Sequence, residues 1–302
     1  TQAVMKRGFG VDRCNLCPRG CGVNRKTATG FCGVGSKLKA ARAGLHFWEE
    51  PCICSTGGAG AIFFSGCNLR CKFCQNIKIS RNCDGKEITV KRLREIIDEL
   101  VWQGADTIDL VTPTHYTDII AAALKEEKPP IPVVWNSSGY EKAETLKLLD
   151  GLVDIFLPDF KYSDGTLARR LSDAADYPET ALSAIGEMFR QTGKFILDDD
   201  GMMRRGVIVR HLVLPGFIEN TLGCLDMLTD MFARDDIMIS LMSQYTPPET
   251  ALDIESLNRR LTREEYDEAV GYLYLLGWDN GFVQELSSAE AEYTPDFDCS
   301  GV

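Results

Sequence analysis

The chain has 302 residues, of which 44% are hydrophobic and 25% are charged. These values are ordinary for a globular protein and exclude disordered, collagen-like and disulfide-framework proteins. No apolar run approaches the roughly 20 residues that a membrane helix needs, and the first residues show no signal peptide. The sequence therefore predicts a cytoplasmic protein without membrane contact.

Charge and cysteine are distributed unevenly along the chain. Residues 1–83 hold 13 Lys and Arg and 3 acidic residues, a balance of +10, whereas the remainder holds 20 basic and 41 acidic residues, a balance of −21. Ten of the 12 cysteines lie in the same basic segment. Without a secretory signal, clustered cysteines indicate metal or iron–sulfur ligation rather than disulfides. The acidic isoelectric point of about 4.9 argues against nucleic acid as a partner.

Residues 1–58 are rich in Gly, Cys and Arg and predict a Cys-rich extension of loops that are tied to a metal. Beyond them, short β-rich runs alternate with helical stretches. Most of these runs are apolar with little alternation, as expected for parallel strands that are covered on both faces. They are residues 59–65, 106–111, 131–135, 152–157, 206–214 and 236–241.

The clearest predicted helix begins after Thr89, a favourable N-cap, and places Leu93 and Leu100 on one apolar face. Gly104 and Gly277 stand where helix C-terminal caps belong. Six βα units in a row predict a parallel α/β fold. A closed barrel needs eight strands, so a partial barrel or a doubly wound sheet remains. The other helices are predicted near residues 116–127, 141–149, 179–192, 219–233 and 263–276.

Three cysteines follow the first predicted strand with the spacing C-x3-C-x2-C. A structural zinc site uses four ligands, whereas three thiolates suit a [4Fe–4S] cluster with one iron left open to another ligand. Phe73, beside the last cysteine, would shield such a cluster from water. The alternative is a structural zinc ion completed by Cys83 or Cys54. The three cysteines are Cys67, Cys71 and Cys74.

This cysteine run, with an aromatic residue before its last member, resembles the signature of the radical S-adenosylmethionine (SAM) superfamily. The resemblance extends over about residues 59–286 and is closest to the pyruvate formate-lyase activating enzymes and their uncharacterised relatives. It implies a partial (β/α)6 TIM-like barrel, with the cluster and SAM as cofactors. The open iron would bind SAM, whose reductive cleavage gives a 5′-deoxyadenosyl radical that abstracts hydrogen from a substrate. A reduced flavodoxin- or ferredoxin-type protein is the implied electron donor.

Two segments at strand ends correspond to SAM-binding segments of that family. Thr112 and Thr114 lie where the family usually has a Gly-Gly-Glu stretch that contacts the SAM amino group, and this chain departs from that stretch. Asn136 and Ser138 lie in a run that resembles the activating enzymes' Asp-Thr-Asn-Gly, near the SAM ribose or carboxylate. The alternative role for Asn136 and Ser138 is simply to form the turn.

Two further strand ends supply three more SAM contacts by the same resemblance. Asp159 and Lys161 belong to an Asp-Phe-Lys run similar to the family's Asp-Leu-Lys, and they would contact the SAM amino group and a carboxylate. Their alternative is a salt bridge with each other. His211 belongs to a run similar to Arg-His-x-x-x-Pro-Gly, and the resemblance implies an adenosine or ribose contact. Its alternative is a buried core histidine.

A second set of four cysteines precedes the first predicted strand, with the spacing C-x2-C-x3-C-x10-C. Two hypotheses compete for it: an auxiliary [4Fe–4S] cluster that relays electrons, and a zinc ion that only holds the loop together. The excess of basic residues nearby would offset the negative charge of thiolate clusters. The set consists of Cys14, Cys17, Cys21 and Cys32.

Three functions remain open on the sequence. The first is an activating-enzyme-like protein that installs a radical on a partner protein. The second is a radical SAM enzyme that modifies a small metabolite or a peptide. The third is a non-catalytic iron–sulfur electron carrier or a zinc-stabilised interaction protein. The predicted domains are a Cys-rich extension over 1–58, the barrel over 59–286 and a tail over 287–302.

Overall fold

The computed structural model describes residues 12–248, 252–286 and 295–302. The strands within these ranges are β1 (Leu38–His46), β2 (Ala59–Phe64), β3 (Lys86–Ile88), β4 (Thr107–Val111), β5 (Val133–Ser137), β6 (Ile155–Pro158), β7 (Ile196–Leu197), β8 (Met203–Leu212), β9 (Met238–Met242) and β10 (Gly281–Val283). The helices are α1 (Ile77–Ser80), α2 (Val90–Trp102), α3 (Thr117–Glu126), α4 (Ala143–Leu146), α5 (Gly165–Ser172), α6 (Tyr177–Thr192), α7 (Ile218–Met231) and α8 (Arg263–Leu275).

The strands form one sheet in the order β10-β9-β8-β6-β5-β4-β2-β1-β3, with β10 and β3 at its edges. From β2 to β10 along this order every neighbouring pair is parallel. β1 is antiparallel to both β2 and β3, and the short β7 is antiparallel to β8. Each of the six predicted strands is present in the parallel part, so the α/β fold with a partial-barrel sheet is confirmed.

Helix α2 shows why these segments form where they do. The Thr89 hydroxyl accepts a hydrogen bond from the Arg92 backbone N–H at 3.1 Å, which satisfies one of the free donors of the first turn. Leu93 and Leu100 are buried on the face that packs on the sheet. Gly104 adopts φ +88°, the left-handed conformation that ends a helix at low cost for glycine. The predicted boundaries of this helix are therefore confirmed.

The prediction of loops throughout the first 58 residues is wrong for β1. Its period-2 pattern is interrupted by a register shift between Ala40 and Arg42, which hides the strand from a search for alternation. β1 pairs with β2 across the predicted domain boundary at residue 58, and that boundary stays a prediction.

The last eight residues pack back onto β1. The Cys299 N–H donates to the Ala41 carbonyl, and the Ala43 N–H donates to the Ser300 carbonyl, each at 2.9 Å. The ring of Phe297 meets that of Phe63 at 5.5 Å. Of the predicted tail, residues 287–294 lie outside the described part. None of the described helices combines the length and apolar character that crossing a membrane requires.

Candidate functional site

A cavity of about 310 Å³ opens at the carboxyl ends of the parallel strands. Functional side chains of α/β barrels collect at this end, because every βα loop leaves the sheet there. Eight residues predicted from the sequence line the cavity together: Cys67, Cys71, Cys74, Thr112, Asn136, Ser138, Asp159 and Lys161.

The three cysteines of the C-x3-C-x2-C run share one loop between β2 and α1, and each thiol has a polar neighbour. The Leu69 N–H donates to Cys67 Sγ at 3.4 Å, and the Ser172 hydroxyl donates to Cys71 Sγ at 3.0 Å. Cys74 Sγ lies 3.3 Å from the Ser80 hydroxyl. Burial, followed by the charges of Cys71 and Cys74, raises the pKa of Cys67. The three thiols are therefore close enough to interact electrostatically.

This donor set fits a cluster with one open iron. Among the described lining residues there is no fourth cysteine: Cys83 Sγ instead contacts the Cys32 carbonyl at 3.7 Å, and Cys54 Sγ contacts the His46 carbonyl at 3.3 Å. No three Cys, His, Asp or Glu side chains in the described ranges are placed to hold a single metal ion. A four-iron cluster does not require such convergence, because each thiolate binds a different iron.

Arg210 organises the polar side of the cavity. Its guanidinium donates to Asn136 Oδ1 at 2.6 Å, to Asp159 Oδ1 at 3.1 Å and to Glu49 Oε2 at 3.4 Å. Lys161 Nζ reaches Asp159 Oδ2 at 2.5 Å, so the salt bridge that the sequence left as an alternative is present and lies in the cavity wall. Burial of Asp159 is outweighed by Lys161 and Arg210, which together lower the pKa of its carboxyl.

Sequence reasoning missed three buried carboxyl groups beside Arg210. Glu49 and Glu50 line the cavity, and Asp109 lies beneath it at 0% exposure. Burial and the charge of Glu49 raise the pKa of Asp109, whose Oδ2 accepts a hydrogen bond from Asn136 Nδ2 at 3.2 Å. A charged residue in the middle of the apolar strand β4 was the available signal, because a buried carboxyl requires a partner.

The pKa of Glu50 predicts how stability depends on pH. Burial raises this pKa from 4.5 to about 7, with Glu49 adding to the rise and Arg210 opposing it. The folded state therefore keeps a proton that the unfolded state has released, and the stability due to Glu50 is lost as the pH rises through about 7. The free energy of unfolding of the wild type should therefore fall between about pH 5 and about pH 8. We expect this fall to be smaller in Glu50→Gln, by on the order of 1–3 kcal/mol.

Urea denaturation at both pH values checks this expectation. Glu87→Gln is the matched control, since the Glu87 side chain is 58% exposed and pairs with Lys37 at the surface. An unchanged pH dependence in Glu50→Gln would show that Glu50 is ionised in the folded state across this range.

Two predicted SAM contacts, His211 and Thr114, are not brought to the cavity. His211 is fully buried, with Nδ1 2.6 Å from the Phe160 carbonyl and Nε2 3.0 Å from the Thr221 hydroxyl on α7. Successive residues of a strand point to opposite faces, so Arg210 faces the cavity and His211 faces the helix layer. Thr114 is 2% exposed, and its carbonyl accepts a hydrogen bond from the Thr117 hydroxyl at 2.7 Å. His211 thus occupies the core position that the sequence left as its alternative.

The four N-terminal cysteines form a second group outside this cavity. Cys14, Cys17 and Cys32 are buried and Cys21 is half-buried. Two backbone hydrogen bonds close the loop around them, from the Cys14 N–H to the Val23 carbonyl at 2.8 Å and from the Gly22 N–H to the Cys14 carbonyl at 3.0 Å. Burial, followed by the charges of the other three thiols, raises the pKa of Cys17 to about 11.

Comparison with known proteins gives a match to the radical SAM superfamily model over residues 61–222. An uncharacterized protein of Methanocaldococcus jannaschii is 31% identical over 273 residues, which cover 85% of this chain and 73% of that protein. Streptococcus suis SuiB bound to the precursor peptide SuiA has a TM-score of 0.49 at 14% identity, covering 74% of this chain.

SuiB bound to S-adenosylmethionine has a TM-score of 0.48 at 14% identity and covers 78% of this chain. The chain spans about half the length of both SuiB structures, 48% in each case. The family match extends over more than half of the chain and includes the cysteine loop. The chain therefore belongs to the radical SAM superfamily.

Proposed function

We propose that Cys67, Cys71 and Cys74 hold the [4Fe–4S] cluster that the superfamily implies, and that the protein uses SAM bound beside it to abstract hydrogen from a partner protein. The observation that carries this proposal is the shared cavity, which is lined both by the three cysteines and by Asp159 and Lys161. When bound, the cluster supplies the electron that breaks the sulfonium C–S bond of SAM.

The polar residues of the cavity would bind and orient SAM. Asp159 is an acceptor for its amino group, and Lys161 is a donor for its carboxylate, the same pairing that the two side chains make with each other. Asn136 and Ser138, at the next strand end, offer amide and hydroxyl groups to the ribose. Thr112 adds a hydroxyl at the end of β4.

A protein substrate is supported by the rim of the cavity. Trp48 lines the cavity and is 59% exposed, and the neighbouring Phe47 is 52% exposed. Large exposed aromatic side chains beside a binding cavity are typical of surfaces that dock another macromolecule. This supports an activating-enzyme-like function over modification of a small metabolite.

The test measures 5′-deoxyadenosine formed from SAM by anaerobically reconstituted, reduced protein. Macromolecular and small-molecule fractions of an extract from the source organism are added separately. We expect stimulation by the macromolecular fraction, and we expect Trp48→Ala to weaken the stimulation about tenfold, the effect of losing an aromatic anchor. Trp102→Ala is the matched control, because Trp102 is 87% exposed on α2 and does not line the cavity.

The other outcomes separate the alternatives. Stimulation by the small-molecule fraction alone would establish a metabolite-modifying enzyme. If the macromolecular fraction stimulated Trp48→Ala and Trp102→Ala equally, Trp48 would not be part of the surface that docks the partner protein. No product from protein that carries an intact cluster would favour the electron carrier.

A further inference from the structure

We propose that Cys14, Cys17, Cys21 and Cys32 bind a second [4Fe–4S] cluster, and that this cluster passes electrons to the one at Cys67, Cys71 and Cys74. The direction of electron flow rests on the proposed function.

The four thiols share one tightly folded loop. Hydrogen bonds from the Cys14 N–H to the Val23 carbonyl at 2.8 Å and from the Gly22 N–H to the Cys14 carbonyl at 3.0 Å fold the segment back on itself. A Cβ placed on Gly30 would lie 3.3 Å from Cys32 Sγ and 3.4 Å from Cys21 Sγ, so these two sulfurs flank one glycine. Three of the four thiols are buried and the fourth is half-buried. The loop therefore gathers the cysteines in a pocket of its own, as four thiolate ligands of one cluster require.

A buried cation lies in the same loop. Arg25 is 4% exposed, and its guanidinium donates to the His115 carbonyl at 2.5 Å and to the carbonyl of Gly35, three residues after Cys32. Four thiolates around a cluster carry excess negative charge, and a fixed guanidinium offsets it without ligating iron.

Hydrogen bonds connect the two cysteine sets directly. The Cys67 N–H donates to the Cys32 carbonyl at 3.2 Å, so a single hydrogen bond joins a residue of one set to a residue of the other. Arg70 Nη2 donates to the Phe31 carbonyl at 3.1 Å, and Arg19 Nε donates to the Asn68 carbonyl at 2.8 Å. These contacts fix the two loops side by side. A zinc ion, which has no redox chemistry, would make no use of this proximity.

A low-potential one-electron donor protein would be oxidised as it reduces the N-terminal cluster. That cluster would return to its oxidised state by reducing the cluster at Cys67, Cys71 and Cys74. The latter would be reoxidised as its electron breaks the C–S bond of SAM, which releases methionine and the 5′-deoxyadenosyl radical. The excess of ten positive charges in residues 1–83 would attract an acidic donor protein.

The experiment compares the full-length wild-type chain with three variants after anaerobic reconstitution. One variant carries Cys14→Ser and Cys17→Ser, one carries Cys67→Ser and Cys71→Ser, and the control carries Cys224→Ala, which removes a buried thiol outside both sets. Iron, sulfide and zinc are counted, and the reduced clusters are identified by electron paramagnetic resonance. We expect about eight irons in the wild type and the control and about four in each double variant.

Electron transfer is measured separately from SAM cleavage, by mixing each protein with reduced flavodoxin and following cluster absorbance. We expect the Cys14→Ser and Cys17→Ser variant to lose the fast phase of reduction of its remaining cluster. One zinc per wild-type chain, or wild-type iron in that variant, would overturn the site. Loss of four irons with an unchanged fast phase would overturn the relay.

The variant with Cys67→Ser and Cys71→Ser tests the N-terminal site even if the variant with Cys14→Ser and Cys17→Ser fails to fold. If the N-terminal site is real, the Cys67→Ser and Cys71→Ser chain still holds about four irons. A wild-type chain with eight irons that does not cleave SAM would count against the proposed function and leave the N-terminal site in place.

Discussion

Cys71→Ala is expected to lower 5′-deoxyadenosine formation from SAM by more than about 100-fold, beyond what the loss of a supporting residue around a metal costs. Cys71 Sγ lines the cavity and accepts a hydrogen bond from the Ser172 hydroxyl at 3.0 Å. With only two thiolates left in the loop, the remaining ligands cannot hold a four-iron cluster in place. Chromatographic quantification of 5′-deoxyadenosine from the reduced, reconstituted protein provides the measurement.

Cys224→Ala is the control for this variant, because Cys224 is buried in α7 and does not line the cavity. It should give the wild-type yield of 5′-deoxyadenosine. Product at the wild-type level from Cys71→Ala would refute the assignment of the cluster to this loop.

The largest expected effect on stability comes from Arg210→Met. The Arg210 guanidinium is the shared partner of Asp159 and Glu49, and its side chain is only 14% exposed. Breaking a buried ion pair by removing one partner leaves uncompensated charge, so we expect the free energy of unfolding to fall by about 3–5 kcal/mol at neutral pH. Urea denaturation checks the loss, which should be smaller at about pH 5, where Glu50, whose pKa burial raises to about 7, is protonated and needs no compensating charge.

Arg92→Met is the matched control for Arg210→Met. Arg92 pairs with Glu99 at 2.6 Å on the surface of α2, with side chains 31% and 50% exposed. Removing an exposed pair of this kind should cost no more than about 1 kcal/mol, because water and salt screen it. Equal losses in the two variants would contradict the role of Arg210 as the compensating charge of the cavity.

The parallel part of the fold was predictable because its strands are buried on both faces and are separated by amphipathic helices. The antiparallel β1 was not, because a bulge interrupts its alternation and because its pairing with β3 joins residues far apart in the sequence. β10 is three residues long, too short for any pattern to show.

In the site, the grouping of Cys67, Cys71 and Cys74 was predictable because the three cysteines lie within eight consecutive residues. The sequence did not predict that Arg210, rather than His211, points into the cavity. Residues 206–209, which lead up to this pair in β8, are buried on both faces, so the sequence shows no sign of which neighbour points into the cavity. Glu49 lies in the connection between β1 and β2, and Asp109 lies in β4. Their proximity depends on the pairing of β2 with β4, about which local sequence patterns carry no information.

Thr112 pays a conformational cost at the edge of the cavity. It adopts φ +59°, a left-handed backbone conformation that costs a residue with a β-branched side chain on the order of 1–3 kcal/mol. Its N–H donates to the Asn136 carbonyl at 2.8 Å, so the strained turn is locked to the neighbouring strand end. The fold therefore tolerates this strain and keeps a hydroxyl-bearing side chain, where a glycine would be unstrained, in the wall of the cavity where the substrate's radical chemistry is proposed to occur.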